Sequence, residues 1–147
     1  MRALVQRVSE ASVAIGSEPV ASIELGLVVL LAVGRTDNER EAQRLAEKVA
    51  GLRVFDDGKG RMDRSLLDLG EEAAALCISQ FTLYGDVRRG LRPSFSEAAE
   101  PDRAQALYEL FCDQLAGRGV RVETGRFGAR MSVALRNEGP VTLMIEL

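Results

Sequence analysis

The sequence predicts a single α/β domain in which mixed β-sheet is covered on one side by two helices. Three observations predict it. Short apolar or alternating runs, closed by glycine, proline or aspartate turns, recur from one end of the chain to the other. Only two segments, Asp37 to Gly51 and Glu100 to Gly117, repeat their apolar residues at helical spacing. The chain has 147 residues, 46% of them apolar, enough for one core that takes about two-thirds of the unfolded surface out of water. No repeat, linker or low-complexity tract interrupts it, so residues 1–147 read as one domain.

The elements follow in order. Ala3 to Val8 and Ala11 to Ile15 largely alternate apolar and polar residues and fit a hairpin or one bulged strand. Gly16-Ser17-Glu18-Pro19 is a turn, and Val20 to Glu24 is a further short strand. Leu27 to Val33 has no polar face, the mark of a central strand covered on both sides, and Gly34 ends it. Asp37 is the expected N-cap of the first helix, whose Ala42, Leu45, Ala46 and Val49 form one apolar face and which Gly51 closes. Leu52 to Phe55 is strand-like. Asp56-Asp57-Gly58-Lys59-Gly60 is a turn, because the spacing and distant glutamate of a calcium loop are missing. Gly70 to Ala75 reads as an acid-rich surface approach to a strand running from Leu76 to Leu83. Gly90 and Pro93 make a loop of Asp86 to Ser96. Pro101 opens the second helix, with Ala104, Leu107, Tyr108, Phe111 and Leu115 as its apolar stripe, and Gly117-Arg118-Gly119 ends it. Val120 to Thr124, Met131 to Leu135 and Val141 to Leu147 are the last strands, with a turn at Asn137-Glu138-Gly139-Pro140 between the final two.

Composition narrows the chemistry. The chain contains no histidine, which excludes Ser-His-Asp and Cys-His nucleophile systems, and no ligand cluster points to a metal or other cofactor. Cys77 and Cys112 sit in apolar company without CxxC spacing and read as buried reduced thiols. The glycines form neither GxxxxGK nor GxGxxG phosphate cradles. With no leader pattern and no long apolar run, a cytoplasmic location without a membrane partner is expected. A net charge of −3 argues against a general nucleic-acid coat, so a nucleic-acid partner must meet a local basic patch. Arg88, Arg89 and Arg92 supply one, against the alternative of a solvated loop. The segment of greatest interest is Cys77-Ile78-Ser79-Gln80-Phe81-Thr82-Leu83-Tyr84-Gly85-Asp86, an apolar strand that turns polar where it ends. A two-residue period puts Gln80 and Thr82 on one side and Ser79, Phe81 and Leu83 on the other. Such a site, built of backbone N–H groups, hydroxyls and amides beside a basic loop, suits a substrate that is already activated.

These motifs carry a resemblance over nearly the whole chain. Ser79-Gln80-Phe81-Thr82 with its extension through Asp86, Gly90 and Arg92-Pro93-Ser94-Phe95, then Thr124-Gly125-Arg126-Phe127, then Asn137-x-Gly139-Pro140-Val141-Thr142, resemble the D-aminoacyl-tRNA deacylases. Gln6-Arg7-Val8 and Pro101-Asp102-Arg103-Ala104 are similar to that family as well. The resemblance implies a three-layer α/β/β fold and hydrolysis of the ester joining a D-amino acid to the 3′ acceptor end of tRNA. It implies that Ser79, Gln80 and Thr82 line the ester, and that Phe81 and Phe127 shape the pocket. It further implies a homodimer in which a cis Gly139-Pro140 loop, with Asn137, enters the partner's pocket to reject L-aminoacyl substrates. Arg7 is then an edge cation or a clamp on that loop, and Arg88, Arg89 and Arg92 are phosphate contacts. Glycyl-tRNA is an expected further substrate. A non-catalytic RNA-binding module and an L-aminoacyl-tRNA editing paralogue stand as alternatives.

Overall fold

The structure, a computed structural model, describes residues 1–147. In chain order it comprises β1 (Arg2–Ile15), β2 (Glu18–Ile23), β3 (Gly26–Ala32), α1 (Glu39–Ala50), β4 (Phe55–Asp56), β5 (Met62–Arg64), α2 (Leu66–Leu69), β6 (Ala74–Ser79), α3 (Pro101–Ala116), β7 (Arg121–Thr124) and β8 (Ser132–Glu146). The sheet is assembled on β1. One of its edges pairs antiparallel with β8, and the other takes β3 against residues 2–8 and β2 against residues 11–15. From β3 the sheet continues in parallel through β6 to β7.

Each parallel step needs a crossover, and the helices α1 and α3 supply them. Both steps advance in the same direction across the sheet, so right-handed connections leave both helices on one face. Leu45, Val49, Leu107, Phe111 and Leu115 accordingly share one core with Leu27, Val29, Leu31, Ala75 and Cys77. The alternate residues Val28, Ala74, Leu76 and Ile78 face the other way, onto Ala11, Val13 and Ile23 of the sheet's curled outer part. The result is three layers, helices, central sheet and outer sheet, as the resemblance implies. A β-bulge makes the curl possible. Val8 pairs with Asn137 and Glu10 with Arg136, which leaves Ser9 as the extra residue. Before it Ala3 and Val5 point to the helical core; after it Ala11 and Val13 point to the second core.

Most expected elements are present, with instructive departures. The two opening runs are one bulged strand rather than a hairpin. Asn38, not Asp37, caps α1, in a capping box with Glu41 worth about 1 kcal/mol. Asp37 is buried instead, accepting hydrogen bonds from the Met1 ammonium at 2.7 Å and from the Gly34 N–H at 2.6 Å. Leu52 to Phe55 contributes only Phe55 to a strand, in the β4–β5 hairpin around the expected aspartate turn. Ser65 and Asp68 form a second capping box, on α2, a helix too short for periodicity to reveal. Ala73 to Ala75 is buried, so the surface approach ends at Glu72. The cysteines are free and buried. Side-chain hydrogen bonding with Cys112, and then burial, push the Cys77 thiol up.

The two final runs form one strand. Asn137 pairs opposite Val8 and Thr142 opposite Gln6, so residues 138–141 bulge out against the single residue Arg7 without reversing the chain. The Gly139–Pro140 bond is cis. The expected turn is therefore a protrusion from the middle of an edge strand.

Candidate active site

β6 enters the centre of the sheet fully buried and emerges at Ser79, which pairs with Leu31. The next N–H, of Gln80, still donates to the Leu31 carbonyl at 2.7 Å, after which the chain leaves the ladder. Residues Phe81–Tyr84 form one turn of 3₁₀-helix. This corrects the expected strand to Leu83 and with it the assignment of Gln80 and Thr82 to one face. Beyond Gln80 the backbone bonds locally, from Leu83 N–H to the Gln80 carbonyl at 3.2 Å and from Gly85 N–H to the Thr82 carbonyl at 2.9 Å. At the start of such a turn the first N–H groups have no internal acceptor. Those of Phe81 and Thr82 meet no side-chain acceptor and belong to no strand pairing. Gln80 Nε2 donates to Thr82 Oγ1 at 2.5 Å, joining amide and hydroxyl across the turn.

Beside the turn lies an apolar cleft of about 440 Å³, lined by Ser79, Gln80 and Phe81. Leu31 to Val33 make another part of its lining, and Ala99, Pro101 and Ala104 contribute from the start of α3. The remainder is Ile78, Phe127 to Ala129, Met131 and Val133. Phe81 is 54% exposed and meets Phe95 edge-on at 5.1 Å. Phe127 leans on Tyr108 at 6.0 Å, and the Tyr108 hydroxyl donates to the Cys77 carbonyl at 2.9 Å. Burial pushes that phenol far up, so it is a fixed donor. A larger concavity of about 690 Å³, lined by Glu10, Glu24, Arg121 and Arg136 among others, holds none of the expected site residues. The smaller cleft, where an apolar wall meets the polar side chains of Ser79 and Gln80, has the character of a binding site.

Of the expected residues, the structure brings Ser79, Gln80, Phe81 and Phe127 to this cleft, with Thr82 tied to Gln80. Asn137, Gly139, Pro140 and Arg7 are grouped elsewhere on the same chain and line none of it. Asn137 Nδ2 donates to the carbonyls of Arg7 at 2.9 Å and Val141 at 3.0 Å. Arg7 donates to Val54 O at 2.5 Å and to Gly139 O at 3.4 Å, which favours the clamp over the edge cation. The basic loop divides. Arg88 is engaged by Asp86, with Nη2 to Oδ2 at 2.6 Å, and this holds the Asp86 carboxyl down at about 2. Arg89 and Arg92 are exposed and form no ion pair. None of the three arginines lines the cleft.

Sequence reasoning missed Met131, Ala99 and Ala104, small or flexible apolar residues with no pattern that separates lining from core. It also missed Tyr84 and Arg2. The Tyr84 hydroxyl donates to Asp37 at 3.4 Å and the Arg2 guanidinium lies 4.4 Å from the Tyr84 ring centroid. Burial, then the Asp37 charge, raise the Tyr84 phenol to about 12.

Residues 4–146 match the protein family described as D-Tyr-tRNA(Tyr) deacylase. A D-aminoacyl-tRNA deacylase of Roseiflexus sp. (strain RS-1) is 58% identical over 99% of this chain and 93% of its own. One from Thermus aquaticus is 57% identical over 99% of this chain and 95% of its own. Among solved structures, a c-Myc DNA unwinding element binding protein superposes with a TM-score of 0.92 at 37% identity, covering 100% of this chain and 99% of that one. A probable eukaryotic D-amino acid tRNA deacylase superposes at 0.81 and 19% identity over 99% and 98%, a likeness of fold.

Proposed function

The chain belongs to the D-Tyr-tRNA(Tyr) deacylase family, and from that premise we propose that the turn after β6 is the catalytic centre of its reaction. That reaction is hydrolysis of the ester between a D-amino acid and tRNA. The observation that carries the assignment is the turn itself, whose first two N–H groups, of Phe81 and Thr82, have no acceptor within it and which opens beside the apolar cleft that Phe81 lines. Attack of water on the ester carbonyl develops negative charge on its oxygen, and two adjacent N–H donors stabilise that charge without proton transfer. As the tetrahedral species collapses, the carbonyl carbon parts from the 3′ oxygen of the terminal adenosine, and a proton from the attacking water ends on that oxygen. The cleft then takes the adenosine or aminoacyl end, with Phe81 and Phe127 shaping it. Ser79 and the Gln80–Thr82 pair supply polar contacts at the ester.

The protein offers donors but no base near neutral pH. Ser79 and Thr82 hydroxyls are too weakly acidic to serve unaided, so the substrate's own 2′-hydroxyl, next to the ester, orients the water and relays the proton. Aminoacyl esters are activated, and a thousandfold acceleration needs only about 4 kcal/mol, the order of what one or two oxyanion donors supply.

We also propose that the active form is a homodimer. The outer edge of β8 is unpaired, and it exposes Val133, Leu143 and Met144, a combination that favours self-association. The protruding 138–141 loop, which lines no part of its own cleft, is then available to the partner's cleft. Held by Arg7 and Asn137, its carbonyls would accept the α-ammonium of a D-residue while leaving no room for an L side chain, and glycine would pass. Arg89 and Arg92 are the proposed phosphate contacts. The cytoplasm, where aminoacyl-tRNA is used, is the proposed compartment.

Deacylation time courses with matched D- and L-aminoacyl-tRNA test the reading. D-selective cleavage supports it, L-selective cleavage would assign the editing alternative, and binding without cleavage a non-catalytic module. For the dimer, a variant lacking Glu138 to Pro140 is mixed with a Phe81 variant. Recovery of activity in the mixture supports a shared site; an active monomer in sedimentation rejects it.

A further inference from the structure

A single turn of 3₁₀-helix has little stiffness of its own. Yet donors aimed at an oxyanion are useful only if they stay aimed. Resting on the reading of this turn as the catalytic centre, we propose that Arg2 and Tyr84 are positioning residues that lock the Phe81 and Thr82 N–H groups in place.

The lock is built at the end of the turn away from the cleft. Gly34 leaves a notch for the Tyr84 phenol: a Cβ on Gly34 would lie 2.6 Å from the phenol oxygen and 2.9 Å from the adjoining ring carbon. The floor of the notch is the buried Asp37 carboxylate, itself held by the Gly34 N–H and the Met1 ammonium. Arg2 covers the exposed side. Its guanidinium sits 4.4 Å from the ring centroid, its Nη1 donates to the Leu83 carbonyl at 2.9 Å, and its Nε pairs with Glu146 at 2.7 Å. One side chain from the first residue of β1 thus grips both the ring of Tyr84 and the backbone one residue before it, and anchors both to β8. β1 and β3 pair at Arg2 and Ala32, so the grip is referred to the sheet itself. Neither residue touches the cleft; they act through the backbone between Thr82 and Tyr84.

Single-turnover deacylation of D-aminoacyl-tRNA measures the effect, well below each variant's melting temperature. Arg2→Met and Tyr84→Leu are each expected to slow the chemical step about tenfold while half-saturating enzyme concentration moves by less than about twofold. The double variant is expected to be no slower than the slower single one, because both remove the same lock. Tyr84→Phe, which keeps the stacked ring, is expected to recover most of what Tyr84→Leu loses, and Arg2→Lys part of what Arg2→Met loses. A lowered melting temperature with an unchanged chemical step would overturn the inference, as would additive losses in the double variant. The Phe81→Ala and Phe81→Pro pair is run alongside, since only proline removes an N–H. If those two do not differ, the Phe81 N–H is not a catalytic donor and the inference, which needs it held in place, falls with it. If they differ while Arg2→Met and Tyr84→Leu react normally, only the positioning role is rejected.

Discussion

Asn137 donates its side-chain amide to the main-chain carbonyl of Arg7 across 2.9 Å, at the one place where four residues of β8 stand against one of β1. The bond ties the root of the 138–141 protrusion to the neighbouring strand, while the Arg7 guanidinium reaches back to the Gly139 carbonyl. A loop meant only to connect needs no such bracing. Asn137→Ala is expected to cost about 1 kcal/mol of stability and to lower kcat/KM on D-aminoacyl-tRNA at least tenfold, on the order of a misplaced positioning group. Thermal melts and steady-state kinetics check both, and normal kinetics would dissociate the loop from the reaction.

The backbone donors can be tested one at a time. Phe81 is the first residue of its turn, a position that accepts proline, and Gln80 before it has φ −145° and ψ 72°, outside the α region that proline disfavours. Phe81→Ala and Phe81→Pro both lose the ring, but only the second loses the N–H. The rate of Phe81→Pro is expected to fall about 10²–10³-fold below that of Phe81→Ala, the usual cost of one oxyanion donor. Equal rates would remove Phe81 N–H from the mechanism.

A substrate whose terminal adenosine lacks the 2′-hydroxyl is expected to bind normally and to be cleaved far more slowly, whereas Thr82→Ala lowers the rate modestly. Were Thr82 the nucleophile, the pattern would invert, with a dead variant, a normal rate on the deoxy substrate and a trappable acyl-enzyme. Single-turnover measurement of both separates the two mechanisms.

Tyr84 makes a prediction about alkaline stability. Its phenol is raised from 10.0 to about 12 by burial first and by Asp37 second. The neutral form is favoured in the folded state, so its contribution is complete below the unfolded value near 10 and is lost as pH rises through about 12. Urea unfolding between pH 10 and 12 is therefore expected to show a shallower decline for Tyr84→Phe than for the parent. Parallel curves would mean the phenol is solvated in the folded protein.

Local patterning alone made the strands, the two long helices and the family motifs legible. Leu27 to Val33 could only be a strand covered on both faces, and Ala42, Leu45, Ala46 and Val49 could only be one face of a helix, since each follows from a repeat within a few residues. The Ser79-Gln80-Phe81-Thr82 and Gly139-Pro140 motifs pointed to the chemistry for the same reason, being contiguous. What a local pattern cannot carry is a partner distant in sequence. Ser79 to Leu83 has strand composition throughout, but a strand needs a neighbour, and only the tertiary structure shows that the ladder with Leu31 stops, so that Phe81 and Thr82 open a turn instead of continuing the strand. Asp37 has the composition of a cap and was claimed by the Met1 ammonium and the Gly34 N–H, because a buried carboxylate goes to the donors that best replace water. Whether Asn137 to Pro140 reverses the chain or bulges from it was likewise decided by β1, 130 residues away at the Asn137–Arg7 bond. Hydrogen bonds between such remote groups exist only once the fold has brought them together.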